Sequence, residues 1–293
     1  MINKETNRGR NRIPENVSKN YGLASGGVIS VVNGYVIHTF SGDGSFVAPV
    51  DMQVEILVIA GGGGGGAGRP GNFGNGGGGG GGAGGFVNQA YIVKAGVSIT
   101  VVVGAGGDGG FNDNDATPSA EPTSGDDSSF GDITAKGGGE STNASNASAP
   151  GGFDGGSGGG AGRRLVTYTD NPGGLATQPD HSETGGFGSD GGSSDSVDGG
   201  GGGGGAFSKG ADALSVIPGI GGTGKENDLS GAVVEYCKGG AGGHGTNTNI
   251  AGSDGDTPGS GGGGSSRITS SSSVYGGDGA DGVVFIKYRE LSN

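Results

Sequence analysis

Residues 53–110 decide how the chain is read. Gln53-Val-Glu-Ile-Leu-Val-Ile-Ala60 runs straight into six glycines at 61–66, and a second glycine run fills 76–82. Phe86-Val-Asn-Gln-Ala-Tyr-Ile-Val93 and Ser98-Ile-Thr-Val-Val-Val103 follow, before Gly104-Ala-Gly-Gly107. Val54, Ile56, Val58 and Ala60 alternate with Glu55, Leu57 and Ile59, the period of a strand buried on one face and partly on the other. A strand that opens directly into six glycines does not end in an ordinary turn. The same grammar closes the chain, where the glycine-rich stretch 276–282 leads into Val283-Val-Phe-Ile-Lys-Tyr288. The expectation is a small β core that carries long glycine-rich excursions, with the excursions as the functional part.

Composition narrows the class. Among 293 residues, 80 are Gly and 10 are Pro, a bias that marks collagen-like or disordered chains. Collagen is excluded, because its triple helix needs Gly at every third position, whereas seven glycines stand together at 76–82 and again at 199–205. Disorder is the stronger rival, since only 30% of the residues are apolar and ordering a glycine carries a high entropic cost. Against it, strands sit at both ends of the chain and between the glycine runs, so the runs read as loops tethered to a core.

The formal charge of −13 is uneven. Within residues 1–20, Lys4, Arg8, Arg10, Arg12 and Lys19 face only Glu5 and Glu15, a net of +3 that leaves −16 for the remainder. A basic arm on an acidic body suits docking onto a larger assembly, with Arg8, Arg10 and Arg12 as the docking residues, or else a solvated tail. The acidic body, with few aromatics and no Trp, argues against nucleic acid as a partner. A single cysteine, Cys237, permits no intramolecular disulfide, so an ordered form must be held by hydrogen bonds. The sequence has no apolar run long enough to insert in a membrane, and residues 1–20 lack the apolar segment of a signal peptide. Synthesis in a cytoplasm is therefore expected.

In chain order, residues 1–27 read as an arm or linker. Residues 28–136 read as a β-sandwich core with the first glycine excursions. Val28 to Val32 and Tyr35 to Phe40 flank Asn33-Gly34, a strong hairpin signal, and Ser129 to Lys136 reads as a return to the sheet. Residues 137–275 form a glycine-rich region, and between 137 and 264 the only strand candidates are 164–169 and 232–238. Residues 276–293 supply the strand that closes the core.

Ordered glycine runs have a physical route. Polyglycine adopts a left-handed helix of three residues per turn with no internal hydrogen bonds, so neighbouring helices must satisfy each N–H and C=O. Without Cβ atoms such helices approach closely enough to bond backbone to backbone. The fold class expected is all-β, with a jelly-roll-like β-sandwich core and an inserted polyglycine II helix bundle.

Tyr35-Val-Ile-His-Thr-Phe40, Gly44-Ser-Phe-Val-Ala-Pro49, Val54 to Ala60 before 61–66, Gly104-Ala-Gly-Gly107 and Gly282-Val-Val-Phe-Ile-Lys-Tyr288 carry a resemblance. Together they look like the glycine-rich domain of tailed-phage virion and tail-fibre proteins, over roughly residues 34–288 but less specifically in the middle third. The glycine runs also resemble those of the tip adhesins of T-even-type phages, in which distal loops bind host receptors. A similar order occurs in the glycine-rich region of anaplastic lymphoma kinase receptors, although this chain has no disulfides, signal or kinase. The resemblance implies a virion location, other virion proteins as partners of the arm, and a host surface protein or glycan as ligand.

If the runs alternate outward and back, residues 69–75, 111–124 and 140–150 lie distally, and the parity is lost beyond residue 160. Receptor-binding candidates are then Arg69, Asn72, Phe73, Phe111, Asn112 and Asp113, against the bland alternative that they cap turns. Gly219 to Lys225 fits seven positions of a phosphate-binding loop, but Glu226 replaces its Ser or Thr and no helix follows. Residues 276–283 match a single calcium-binding nonapeptide where that roll needs tandem copies. His38, His181 and His244 are scattered, and no nucleophile, base and orienting acid assemble at a recognisable spacing. The expectation is a non-enzymatic, cofactor-free attachment protein without a metal site. A capsid or fibre decoration protein without a receptor is its alternative.

Overall fold

The computed structural model describes residues 23–69, 76–113, 120–144, 151–164, 171–178, 186–194, 198–245, 249–266 and 273–290. Asn72, Phe73, the arm residues Arg8, Arg10 and Arg12, and all but the first residue of the strand candidate 164–169 lie outside them. Among the described residues the fold is all-β, without a helix.

The strands are β1 (Val28–Val32), β2 (Tyr35–Phe40), β3 (Gly44–Val47), β4 (Met52–Ile59), β5 (Phe86–Val93), β6 (Ser98–Val102), β7 (Phe111–Asn112), β8 (Ser128–Phe130), β9 (Ile133–Ala135), β10 (Gly186–Phe187), β11 (Lys225–Asn227), β12 (Val234–Tyr236), β13 (Val274–Tyr275) and β14 (Val283–Arg289). A six-stranded sheet has the order β1-β2-β14-β4-β5-β10, and a four-stranded sheet the order β3-β6-β8-β9. Asn33 and Gly34, at φ 52° and 77°, make the two-residue turn between β1 and β2. The last strand inserts between β2 and β4, pairing Val284 with both Phe40 and Val58.

The two sheets face each other across one apolar core. Val36, Phe40, Val54, Ile56, Val58 and Ile286 contribute from the first sheet, and Phe46, Ile99, Val101 and Phe130 from the second. The opposite face of the large sheet buries Ile37, Leu57, Ile59, Phe86 and Phe285 under Leu229, Tyr236 and Cys237. This second layer explains why Leu57 and Ile59 are as apolar as their neighbours. His38 sits in the first core, with Nδ1 2.6 Å from the Gly26 carbonyl and Nε2 3.2 Å from the Tyr288 hydroxyl. Because that carbonyl can only accept, Nδ1 carries the proton and Nε2 accepts from Tyr288.

Beyond the end of the large sheet at which β4 runs into residues 61–66, glycine segments run side by side, and their hydrogen-bond partners rotate every three residues. The amides of Gly77, Gly80 and Ala83 donate to Asp198, Gly201 and Gly204; those of Gly78, Gly81 and Gly84 to Ser265, Gly262 and Gly259; those of Gly79, Gly82 and Gly85 to Thr142, Gly139 and Lys136. Its carbonyls accept from three other segments, at Arg163 and Gly160, at Gly243 and Gly240, and at Gly66 and Gly63. Segment 76–85 is thus enclosed by hydrogen-bonded backbone on every side. Segments 61–66 and 198–205 are enclosed the same way: Gly61 and Gly64 donate to Asp126 and Thr123, Gly62 and Gly65 to Ala280 and Gly277, Gly63 and Gly66 to Gly82 and Gly79. These enclosed segments coincide with the uninterrupted glycine runs. A Cβ on Gly78 would overlap the Gly66 carbonyl oxygen, and one on Gly203 that of Gly81.

Two segments on the outside carry an exposed side chain at every third position. Val102, Ala105 and Asp108 are exposed while Gly104, Gly107 and Gly110 are buried, and Ile217, Ile220 and Thr223 are exposed while Gly219 and Gly222 are buried. The phosphate-loop match at 219–225 is therefore a peripheral glycine segment. The alternation of direction, which sequence reading loses after residue 160, continues: 198–205 runs parallel to 76–85, and 208–213 returns antiparallel to it.

Candidate functional site

One end of the glycine region is sealed by the sheets. At the other end the segments stop in a layer of buried polar side chains: Asn112, Thr142, Asn143, Arg163, Asn171, Ser194, Ser265 and Ser266. Each does a specific job where the backbone partner runs out. The Ala67 amide donates to Asn143 Oδ1 at 2.6 Å and the Gly68 amide to Ser265 Oγ at 2.8 Å, while Asn112 Nδ2 donates to the Gly68 carbonyl at 3.3 Å. The Gly162 amide donates to Thr142 Oγ1, and the Gly162 carbonyl accepts from Asn171 and Ser194. Buried backbone groups left unpaired would cost about 1–3 kcal/mol each, so this polar plate terminates the lattice.

The flanks use carboxylates for the same purpose. Gly106 and Gly109 donate to Asp281 and Asp278 at 2.8 and 2.7 Å, Asp278 N–H to Asp254, Leu175 to Asp154, Ala176 to Asp190 and Ser193 to Asp212. An outermost segment has no neighbour to accept its outward amides, and a short acidic side chain from the adjacent segment accepts instead. Six carboxylates of the body are thereby employed within it. Asp278 and Asp281, the carboxylates of the nonapeptide match, are among these acceptors. Among the described residues no group of three or more His, Cys, Asp or Glu side chains is placed to hold a metal ion. No helix among them is long and apolar enough to cross a membrane.

The described sequence-derived candidates, Arg69, Phe111, Asn112 and Asp113, fall at the far end, in different environments. Arg69 pairs through its backbone with Gly76 and is only 9% exposed. Its buried Nε has no hydrogen-bond partner among the described residues, and desolvation lowers the guanidinium's affinity for its proton. Asn112 is fully buried and braces Gly68. Phe111 is half-buried and stacks on Tyr275, with ring centres 4.4 Å apart at 18°. Asp113 is exposed beside them. Residues 123–124 and 140 lie within the lattice instead of at its end, because the Thr123 carbonyl accepts from Gly64 and Ser124 Oγ from the Glu140 amide.

Sequence reasoning misses Tyr275, which is 55% exposed and reaches Phe111 through the β7–β13 pair. It also misses Arg163, whose buried guanidinium lies 3.7 Å from Asp198. The only usable signal for Tyr275 is its position immediately before the glycine stretch at 276. At the opposite end, an open groove of about 410 Å³ crosses the large sheet, lined among others by Tyr35, Gln53, Glu55, Gln89 and Lys287. Lys287 Nζ lies 5.1 Å over the Tyr35 ring.

No curated protein matches the chain. A family model described as a glycine-rich domain matches residues 39–289, from the end of β2 to the end of β14. By that match, which takes in the four-stranded sheet, the large sheet except β1 and most of β2, and the glycine segments, the chain belongs to the glycine-rich domain family.

Proposed function

We propose that the protein is a virion attachment protein of the tail-fibre or tip-adhesin kind, binding a host surface protein or glycan through loops displayed on a polyglycine II helix bundle. One observation carries the reading. The described flanks 69 and 76, 113 and 120, 144 and 151, 164 and 171, 194 and 198, 245 and 249, and 266 and 273 all belong to the end remote from the sheets. A rigid body that gathers this many connections at one end is suited to presenting a composite surface. The three-residue rotation of hydrogen-bond partners supports the polyglycine II assignment, and two facing antiparallel sheets support a jelly-roll-like core. In this reading Phe111 and Tyr275 are an aromatic platform. Arg69 offers a desolvated donor to an acidic or carbonyl group, Asn112 is a brace, and Asn72, Phe73 and Asp113 complete the surface. The arm bearing Arg8, Arg10 and Arg12 docks the body to other virion proteins. The protein acts without catalysis or cofactor, and reaches the particle from the host cytoplasm.

The test is adsorption. Purified full-length protein should compete with the phage whose genome encodes it for attachment to host cells, and Phe111→Ala with Tyr275→Ala should weaken competition at unchanged thermal stability. Absence of competition by well-folded protein would favour a decoration role instead. That second reading is supported by the exposed apolar residues Leu214, Ile217 and Ile220, which suit lateral packing in a particle.

A further inference from the structure

The large sheet ends on β1. Among the described residues β1 pairs only with β2, so its outward N–H and C=O groups have no described strand beside them. Natural proteins blunt such edges with charge, proline, bulges or a covering loop. Here none of these devices is present among the described residues. Val28-Ile-Ser-Val-Val32 pairs with β2 residue for residue without a bulge, and Val28, Ile29 and Val31 are 72%, 41% and 54% exposed. Ile29 and Val31 lie opposite His38 and Val36, on the face of the main core, yet that core does not extend over them. No Asp, Glu, Lys or Arg occurs between Lys19 and Asp43, in a chain whose net charge is −13. Elsewhere, at the glycine flanks, the outward amides of Gly106, Gly109 and Leu175 are accepted by carboxylates. The β1 edge has neither acids to accept its amides nor acids to repel a like-charged neighbour.

We propose that β1 is a dimer edge, at which two copies of this chain join antiparallel to make one continuous sheet. Two acidic bodies approach most easily where each is neutral. The segment is also self-complementary about Ser30: a two-fold axis there sets Ile29 opposite Val31 of the partner subunit and Val28 opposite Val32 of the partner subunit. On one face the two copies then bring together four β-branched side chains, the cross-strand pairing that stabilises antiparallel sheets. The contact is isologous and closes on itself, so it yields dimers and not filaments. It lies on the sheet end of the molecule, so the far end of each copy stays open.

Sedimentation velocity on the full-length chain, from about 1 to 100 μM, tests this. The expected result is a dimer for the wild type and a monomer for the Ile29→Lys, Val31→Lys double variant. Both residues are exposed at the edge, so the melting temperature of the monomeric variant should match that of the wild type at a concentration where the wild type has dissociated. The register has its own test. Chains carrying Ile29→Lys alone and Val31→Glu alone should each be monomeric, and an equal mixture should regain the dimer, because the axis sets position 29 of one against position 31 of the other. A monomeric wild type across the range overturns the proposal. So does a dimer that survives the double variant, which would move the interface elsewhere. A monomer destabilised by Ile29→Lys would mean that residues 1–22 of its own chain cover the edge, and would overturn it too.

Discussion

Segments β4 (Met52–Ile59) and 76–85 contact the same body and are both fully enclosed over most of their length, yet they are enclosed by opposite means. Ile56 is held by what its side chain fills, among Phe46, Val101 and Phe130. Gly80 is held by what its missing side chain leaves open, since its amide donates to Gly201, its carbonyl accepts from Gly160, and a Cβ would overlap the Gly240 carbonyl. In the first region specificity comes from shape and in the second from hydrogen-bond completion. The two therefore respond differently to substitution: a core position tolerates a smaller residue with loss, whereas an enclosed glycine tolerates no larger one, because the obstacle is backbone.

The sharpest way to break this contrast is Gly80→Val. Segments must separate, and the expected loss exceeds about 4 kcal/mol, in the range reserved for overpacking and lost hydrogen-bond networks. Ala241→Val, on an exposed third position of an outer segment, should stay within about 0.5 kcal/mol. Equal melting temperatures for the two variants would overturn the account of the glycine lattice. Next in size, Ile56→Ala should cost about 2–5 kcal/mol in denaturant titration, as ordinary core truncations do. Asn143→Ala should cost about 1–3 kcal/mol, because it leaves the Ala67 amide buried and unpaired. Hydrogen exchange should locate that loss at Ala67 and Gly68 and leave Gly80 protected.

The smallest expected effect belongs to His38. Burial lowers its affinity for a proton, partly offset by the Gly26 carbonyl, so the folded protein keeps the ring neutral while the unfolded chain titrates near pH 6.5. The unfolded state then binds more protons below that value. Stability is fully present above about pH 6.5 and declines as pH falls through the unfolded value toward the folded one. Chemical denaturation across pH 5–8 should show this slope, and His38→Phe should flatten it. A slope of opposite sign would mean that the imidazolium is the folded form.

The sheet region was legible because its rules are local. Alternation places β4 and β14 to within a residue, and Asn33-Gly34 marks its hairpin outright. The glycine lattice was legible in kind, since an unbroken run can be read as a segment with no room for a Cβ on any side. Its periphery was readable in principle as well: Ala105 with Asp108, Ile217 with Ile220, and Asp278 with Asp281 recur at three-residue spacing. What the sequence hides is pairing. Asp281 caps Gly106 and Asp278 caps Gly109 across more than 160 positions, and nothing local distinguishes these acids from a solvated charge. The same holds for the candidate site. Arg69 and Phe111 could be named from their place after a glycine run, but the burial of Arg69 and Asn112, and the stacking of Phe111 on Tyr275, depend on contacts between distant segments.

The enclosed glycine segments also set the thermal character of the protein. Unfolding a side-chain core exposes apolar surface and raises the heat capacity, by about 0.45 cal/K/mol per Å², while exposure of polar surface lowers it by about 0.26. Melting segments such as 61–66, 76–85 and 198–205 releases mostly peptide groups and hardly any hydrocarbon. Calorimetry should accordingly find a heat-capacity increment per residue well below the usual 12–15 cal/mol/K. A flatter stability curve follows, so the glycine lattice should resist chilling, where the hydrophobic drive of an ordinary core fades, better than the sheets it is joined to.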